Sequence, residues 1–217
     1  MDGPTVLFAF DPATAEDFAA WNGDPGDLAM PYEDAGTATA LTGGELVMTS
    51  PGDYAGTFLR HQFAESAPLS GVVSLRAAGL RLAGIDWSPD PLGTVLTLVL
   101  VDDAANHATR LYLLPDGQAH LVLSDALGGL AATADFALAS GSAGTVELVQ
   151  DTSVSPAEAR CYRDGVLLAT ASRVGLTPRA VVGVEVGCQP NSEDEFSPDD
   201  ADLRYGAITV ANGVQGV

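Results

Sequence analysis

The sequence predicts an all-β fold, an antiparallel two-sheet β-sandwich. Three observations predict it: apolar residues recur with period two along most of the chain, turn signals punctuate these runs, and helical patterning is scarce. The 217 residues include 24 Gly and 13 Pro and are 47% apolar. That length buries one sizeable core, so residues 1–217 read as a single domain. With only 18% charged residues beside that apolar content, the chain is not of the disordered class.

The alternation can be followed in order. Val6, Phe8 and Phe10 come first, and Leu111 and Leu113 alternate with Arg110 and Tyr112. Leu121 and Leu123 follow, then Val146 and Leu148 around Glu147. Val182, Val184 and Val186 alternate with Gly183 and Glu185, and Ile208 and Val210 with Ala207 and Thr209. Each predicts a strand with one wet face. Val95 to Val101 is apolar almost throughout and predicts a central strand covered on both faces. Pro115-Asp116-Gly117 and Arg163-Asp164-Gly165 predict tight hairpins, because Asp-Gly supplies the positive φ such turns need. The whole pattern predicts about thirteen strands joined mostly by short antiparallel connections.

One run changes phase. Its apolar face falls on odd positions from Val73 to Ala77 and on even ones from Leu80 to Leu82. A strand keeping that face inward needs one extra residue, and Gly79 is the natural place for the bulge. Thr14-Ala15-Glu16-Asp17 has the form of a capping box opening a short helical turn towards Trp21, and Ser124 to Ala134 reads as an irregular or helical turn.

Composition excludes several function classes. Nine Arg, no Lys and 29 Asp plus Glu give a formal net charge of −20, which repels nucleic acid and anionic membrane surfaces. No apolar run is long enough to span a membrane, and Met1-Asp2-Gly3-Pro4 does not open a signal peptide. The expectation is a cytoplasmically made chain, free or assembled onto a particle. Cys161 and Cys188 form no CxxC pair and no zinc-like spacing with His, so they read as buried thiols or as one disulfide.

The order of the pieces resembles the concanavalin A-like lectin/glucanase superfamily, including laminin G-like modules. The residues that carry the likeness are Phe8, Phe10 and Asp11 followed by Asp17-Phe18 and Trp21, then Gly43-Gly44-Glu45-Leu46. Phe136-Ala137-Leu138 and Gly144-Thr145-Val146-Glu147-Leu148 continue it, then the Arg160-Cys161-Tyr162-Arg163-Asp164-Gly165-Val166 hairpin and the closing Asp200 to Val210. Where such modules have a Trp before the Val-x-Leu strand, this chain has Ser142 to Thr145. The resemblance implies a jelly roll whose first and last strands pair, with Trp21 in the core. It also implies a structural calcium near that pairing, held by Asp11, Asp200 and Asp202.

The hydrolases of that superfamily carry Glu-x-Asp-x-x-Glu on a strand, two carboxylates held as acid and nucleophile. Here Glu193-Asp194-Glu195 is the nearest cluster; it lies in a Pro- and Ser-rich loop, and Asp199 replaces the last Glu. The lyases use His, Tyr and Gln or Arg on a concave face; His61, Gln62, Tyr112 and Tyr162 are the nearest matches, and His61 reads as a strand surface residue. His107 and His120 stand singly beside turns, and Ser153, Ser155 and Cys161 have no neighbouring base. Asp86-Trp87-Ser88-Pro89-Asp90 sets one aromatic between two acids on a loop; Trp87 reads either as a cap on the core against Pro89 and Pro91 or as the stacking face of a sugar platform with Asp86 and Asp90 as hydroxyl partners.

These residues lead to a non-catalytic recognition module binding a glycan or protein surface. The alternative is a structural or assembly protein, such as a virion or cell-surface component whose partner is itself or a larger assembly. A diverged glycan-active hydrolase or lyase comes third.

Overall fold

The computed structural model describes residues 4–21, 32–34, 36–51, 56–63, 71–86, 94–102, 107–126, 130–191 and 199–215. Among them it has sixteen strands: β1 (Thr5–Phe10), β2 (Tyr32–Glu33), β3 (Ala38–Thr42), β4 (Glu45–Ser50), β5 (Thr57–Gln62), β6 (Val72–Asp86), β7 (Thr94–Val101) and β8 (His107–Leu113) come first. β9 (Gln118–Ser124), β10 (Ala131–Ala137), β11 (Gly144–Asp151), β12 (Glu158–Arg163), β13 (Val166–Ser172), β14 (Gly183–Asn191), β15 (Asp199–Tyr205) and β16 (Ile208–Asn212) complete the set. All pair antiparallel in two sheets, as the alternation predicts. A seven-stranded sheet has the order β10-β9-β8-β7-β14-β5-β2. A nine-stranded sheet runs β13-β12-β11-β6-β15-β4-β3, with β16 and β1 also leaving β6.

The sheets face each other across a core drawn from their inward positions. Leu46, Leu75, Leu148 and Leu203 come from the nine-stranded sheet, and Leu98, Leu100, Leu111, Leu121 and Val184 from the seven-stranded one. Each such side chain contributes roughly 1.5–3 kcal/mol on burial. Trp21 joins this core, edge-on to Phe8 and Phe10. Several polar groups in the core are bonded, whereas the buried Trp21 Nε1 has no partner among the described residues. Thr109 donates to Gln150 (2.7 Å), whose amide donates to the Arg179 carbonyl (2.6 Å), and the Tyr205 hydroxyl donates to the Gly187 carbonyl (2.6 Å). Burial pushes the Tyr205 hydroxyl well above its ordinary pKa.

β6 organises the nine-stranded sheet through the bulge read from its phase change. Its partners on β11 step from Gly144 to Val146 while β6 steps from Leu80 to Ala77, one residue more. Gly79 takes up the difference at φ +63, and a Cβ there would come within 3.4 Å of the Gly206 nitrogen. The bulge is also where β6 changes neighbours. Ala77 pairs with Ile208 of β16, Leu82 pairs with Leu203 of β15, and the corner between those strands is tied to Ala78 by two backbone hydrogen bonds. β1 pairs with β16, so the first strand meets the last.

Around Ser74, Glu147 and Thr209 the outward side of this sheet is closed by the segment that follows β16. The Ser74 hydroxyl donates to the Gly213 carbonyl (2.6 Å), and the Gln215 amide nitrogen donates to the Glu147 carboxylate (2.6 Å). The Gln215 side chain donates to the Ser74 hydroxyl and the Thr209 carbonyl and accepts from the Thr209 hydroxyl. Ser74 and Glu147 are fully buried as a result.

Local readings meet their outcomes here. Asp164 and Gly165 have φ of 50 and 79, and Asp116 and Gly117 of 58 and 69, as two Asp-Gly turns require. The turn leading to Trp21 is a 3-10 turn at Ala19–Trp21, and the Asp17 carboxylate, rather than Thr14, caps it at the Ala19 nitrogen (2.9 Å). The end of the 124–134 stretch is not helical: Ala131–Ala137 is an edge strand, and its Ala-rich pattern hides a one-sided burial against β9. Cys161 and Cys188 are free and buried, in different sheets. No helix among the described residues is long and apolar enough to cross a membrane.

Candidate functional site

The outward side of the seven-stranded sheet gathers polar residues that are far apart in sequence. β5 turns Leu59 inward and Arg60 outward; β14 turns Val184 and Val186 inward and Glu185 outward. Register sets Arg60 beside Glu185, Glu185 beside Val99, Val99 beside Arg110 and Arg110 beside Val122. One strand position along, Leu96 pairs with Tyr112, Tyr112 with His120 and His120 with Asp135. Leu96, Val99 and Val101 form a small apolar floor on this side, against which Tyr112 packs. This is why Val95 to Val101 is apolar at every position but Thr97, whose hydroxyl hydrogen-bonds the buried Tyr205 hydroxyl: Val95, Leu98 and Leu100 point into the main core and Leu96, Val99 and Val101 build the floor.

Glu185 is the pivot of the face and is 1% exposed. Arg60 donates to its Oε2 through Nη2 (2.6 Å) and Nε (3.1 Å), and Gln189 donates to Oε1 (2.7 Å). His107 lies 3.9 Å from the same Oε1. Burial lowers the His107 pKa below its ordinary value; Glu185 opposes the shift, while Arg110 and Arg60 reinforce it. His107 is therefore neutral near pH 7 and does not add a second cation to the Arg60–Glu185 pair. Gly183 and Gly187 flank Glu185 on β14. A Cβ at either would lie 2.7 or 2.9 Å from a β5 carbonyl oxygen, so the strand tolerates no side chain beside the carboxylate.

Arg110 differs from the arginines that pair. Among the described residues Arg60, Arg81, Arg160, Arg163, Arg179 and Arg204 each lie within ion-pair distance of a carboxylate, and Arg110 does not. Its Nη2 donates to the Ser124 hydroxyl (3.2 Å), its buried Nε has no partner, and its guanidinium carbon lies 5.8 Å from the Tyr112 ring centre. Tyr112 and His120 stand with ring centres 6.2 Å apart, and His120 Nδ1 hydrogen-bonds the Asp135 carboxylate. About a third of the Arg60 side chain and of the His120 side chain reaches solvent, so polar heads crown a buried apolar floor.

The residues singled out from sequence are distributed differently. Asp86 ends β6 and pairs in register with Asp199, whereas Trp87 and Asp90 lie outside the described residues, as do Glu193, Asp194 and Glu195. The Asp11 carboxylate accepts from the Ala13 nitrogen (3.0 Å), and both oxygens of Asp202 accept from Arg204. Asp11 follows the Phe10–Ile208 pair, while Asp202 pairs with Thr49 and Gly84 beyond the Gly206 corner, and Asp200 precedes it in β15. Two of the three carboxylates are thus engaged by protein donors. No group of three or more His, Cys, Asp or Glu among the described residues is arranged to hold a cation.

His61 is a correction. It shares the inward side of β5 with Leu59, stacks on Phe8 at 4.2 Å and hydrogen-bonds the Trp21 carbonyl. Burial lowers its pKa, against its hydrogen bonding to the Trp21 and Ala20 backbone, which favours the protonated ring. Gln62, its neighbour, points the other way and is exposed. Tyr162 belongs to the nine-stranded sheet, opposite Glu147. Both cysteine thiols are pushed up to about 12 by burial, which leaves no thiolate at neutral pH. Arg60, Glu185 and Arg110 were missed as a site because only the strand register brings them together.

No family model matches the chain, and no curated protein matches it in sequence. Solved structures do match it in fold. A sialidase superposes with TM-score 0.62 at 14% identity, over 96% of this chain and 18% of that one. A structure of botulinum neurotoxin type C, a toxin that depends on interaction with two ganglioside molecules, gives 0.58 at 10% identity, over 84% and 42%. The binding domain of botulinum neurotoxin DC in complex with rat synaptotagmin II gives 0.56 at 12% identity, over 84% and 43%. The chain spans less than half the length of each of these, and what they share with it is the lectin-like β-sandwich fold.

Proposed function

We propose that this chain is a non-catalytic recognition module that binds a glycan or protein surface, a glycan first, through the outward side of its seven-stranded sheet. The observation that carries the reading is the strip Arg60–Glu185–Arg110 beside Tyr112 and His120, solvent-reaching polar heads on a preformed apolar floor. Binding sites combine such a floor with a few oriented polar groups. The order of sequence motifs and the pairing of first and last strands support placing it in the concanavalin A-like superfamily. Asp86, Trp87 and Asp90 are a second contact region, because the connection they belong to enters β7 just before Leu96, the partner of Tyr112.

The local chemistry favours binding over catalysis. Glu185 and Asp151 are each bonded to an arginine, and the bonds from Ser153 and Arg160 outweigh burial and hold Asp151 below the usual carboxylate range. A general acid needs the opposite shift. The test is a broad glycan array probed with the purified chain in calcium and then in chelator. Selective binding in both supports the module. Loss in chelator makes binding dependent on a divalent cation and calls for Asp11→Asn and Asp202→Asn to test those two positions, and a blank array in both buffers overturns the glycan reading.

A specific feature favours the assembly reading in that event. β1 pairs on one side only among the described residues, carries no charge, and exposes Val6 and Leu7. Such an edge is a template for a further strand.

A further inference from the structure

We propose that the Arg110 corner of this face holds the carboxylate of an acidic sugar. The inference rests on reading the face as a glycan surface and adds the charge class of its ligand. The chain has 29 acidic residues for nine arginines. An arginine held at a sheet surface in such a chain has many carboxylates to pair with, and six of the nine do so. Arg110, Arg76 and Arg173 have none among the described residues, and of these three only Arg110 has an Nε sealed from solvent without a partner there.

The acids around it are already committed. Glu185 serves Arg60 and Gln189, Asp135 serves His120, and Asp102, which acts on His107, serves Arg179. Among the described residues Arg60, Glu185 and Arg110 together carry one positive charge in excess, on a molecule of net charge −20. Among those residues the guanidinium has one acceptor, the Ser124 hydroxyl, which leaves its other Nη donors to a ligand. A planar fork of N–H groups matches a carboxylate better than it matches a hydroxyl. Tyr112 lies 5.8 Å from the guanidinium on one flank, with His120 beyond it. Their rings offer the flat surface on which the C–H face of a pyranose rests while its carboxylate meets Arg110.

The test uses the full chain on immobilised oligosaccharides ending in glucuronate or N-acetylneuraminate, on the methyl esters of the same sugars, and on neutral galactose- and glucose-terminated chains. The expected result is binding to the acids that falls about tenfold or more on esterification, the range of a charge-assisted hydrogen bond. Arg110→Gln loses the same factor with an unchanged melting temperature. Arg76→Gln, on the outward side of the other sheet, binds as the wild type. The ester comparison needs no variant and stands if Arg110→Gln fails to fold. Binding indifferent to esterification, or confined to neutral sugars, overturns the inference and leaves the glycan reading in place. Silence on all the sugars overturns both.

Discussion

The two sheets turn chemically similar surfaces outward and finish them in opposite ways. On the nine-stranded sheet Ser74 and Glu147 are buried polar groups, and the chain supplies their partners from its own Gly213–Gln215 segment. On the seven-stranded sheet Glu185 is as deeply buried, yet the groups around it reach solvent and Arg110 has no carboxylate partner among the described residues. A polar sheet face closed by its own chain is a stability device. One left with unfilled donors is a surface for something else. The difference lies in what covers each face and not in residue type: the nine-stranded sheet has buried Glu147 with Tyr162 and Arg76, the seven-stranded one buried Glu185 with Tyr112 and Arg110, and neither Arg76 nor Arg110 has an ion pair among the described residues.

Substitutions should separate the two faces. The largest effect is expected at Gln215→Ala, which removes the side chain bonded to Ser74 and to the hydroxyl and carbonyl of Thr209 while leaving the backbone bond to Glu147 in place. A loss of about 2–3 kcal/mol, read by denaturant unfolding, follows from three lost hydrogen bonds at about 1 kcal/mol each. An unchanged midpoint would mean the closed face is not closed by this segment. Glu185→Gln comes next. Arg60 is about one-third exposed and rehydrates when the charge is lost, so about 1–2 kcal/mol is expected despite the depth of Glu185. A larger loss than at Gln215 would contradict the distinction.

The pH response is smaller. His61 and His107 both have depressed pKa values, so the unfolded chain takes up protons that the folded chain refuses. Stability is therefore fully present above the ordinary histidine value of 6.5 and declines as pH falls below it towards the folded values. Melting curves from pH 7.5 to 5.5 should show that decline, and His61→Phe should flatten it. A flat wild-type profile would mean neither histidine is buried as described. Arg110→Gln should change stability least, by less than about 0.5 kcal/mol, as for a surface residue with one neutral partner.

Much of this fold is legible in the sequence because backbone physics writes it there. The phase change around Gly79 specifies a bulge, and Asp116-Gly117 and Asp164-Gly165 specify their turns. Val95 to Val101 announces a strand buried on both sides. Legibility fails where burial is weak or the partner is distant. β10 is an edge strand of alanines, and two-residue β2 leaves no periodic trace. His61 has the strand pattern of a surface residue, and only the packing of Phe8 and Trp21 over it turns it inward. Arg60, Arg110, His120 and Glu185 each occupy an ordinary wet-face position, and pairing across five strands makes them a site.

The central claim is that the outward side of the seven-stranded sheet is the recognition surface. It is tested most directly by comparing wild type, Tyr112→Ala and Trp87→Ala on the same glycan array. The account predicts that Tyr112→Ala abolishes binding, while Trp87→Ala weakens it at most. Binding that survives Tyr112→Ala and vanishes with Trp87→Ala would contradict the account and move the site to the connection between β6 and β7.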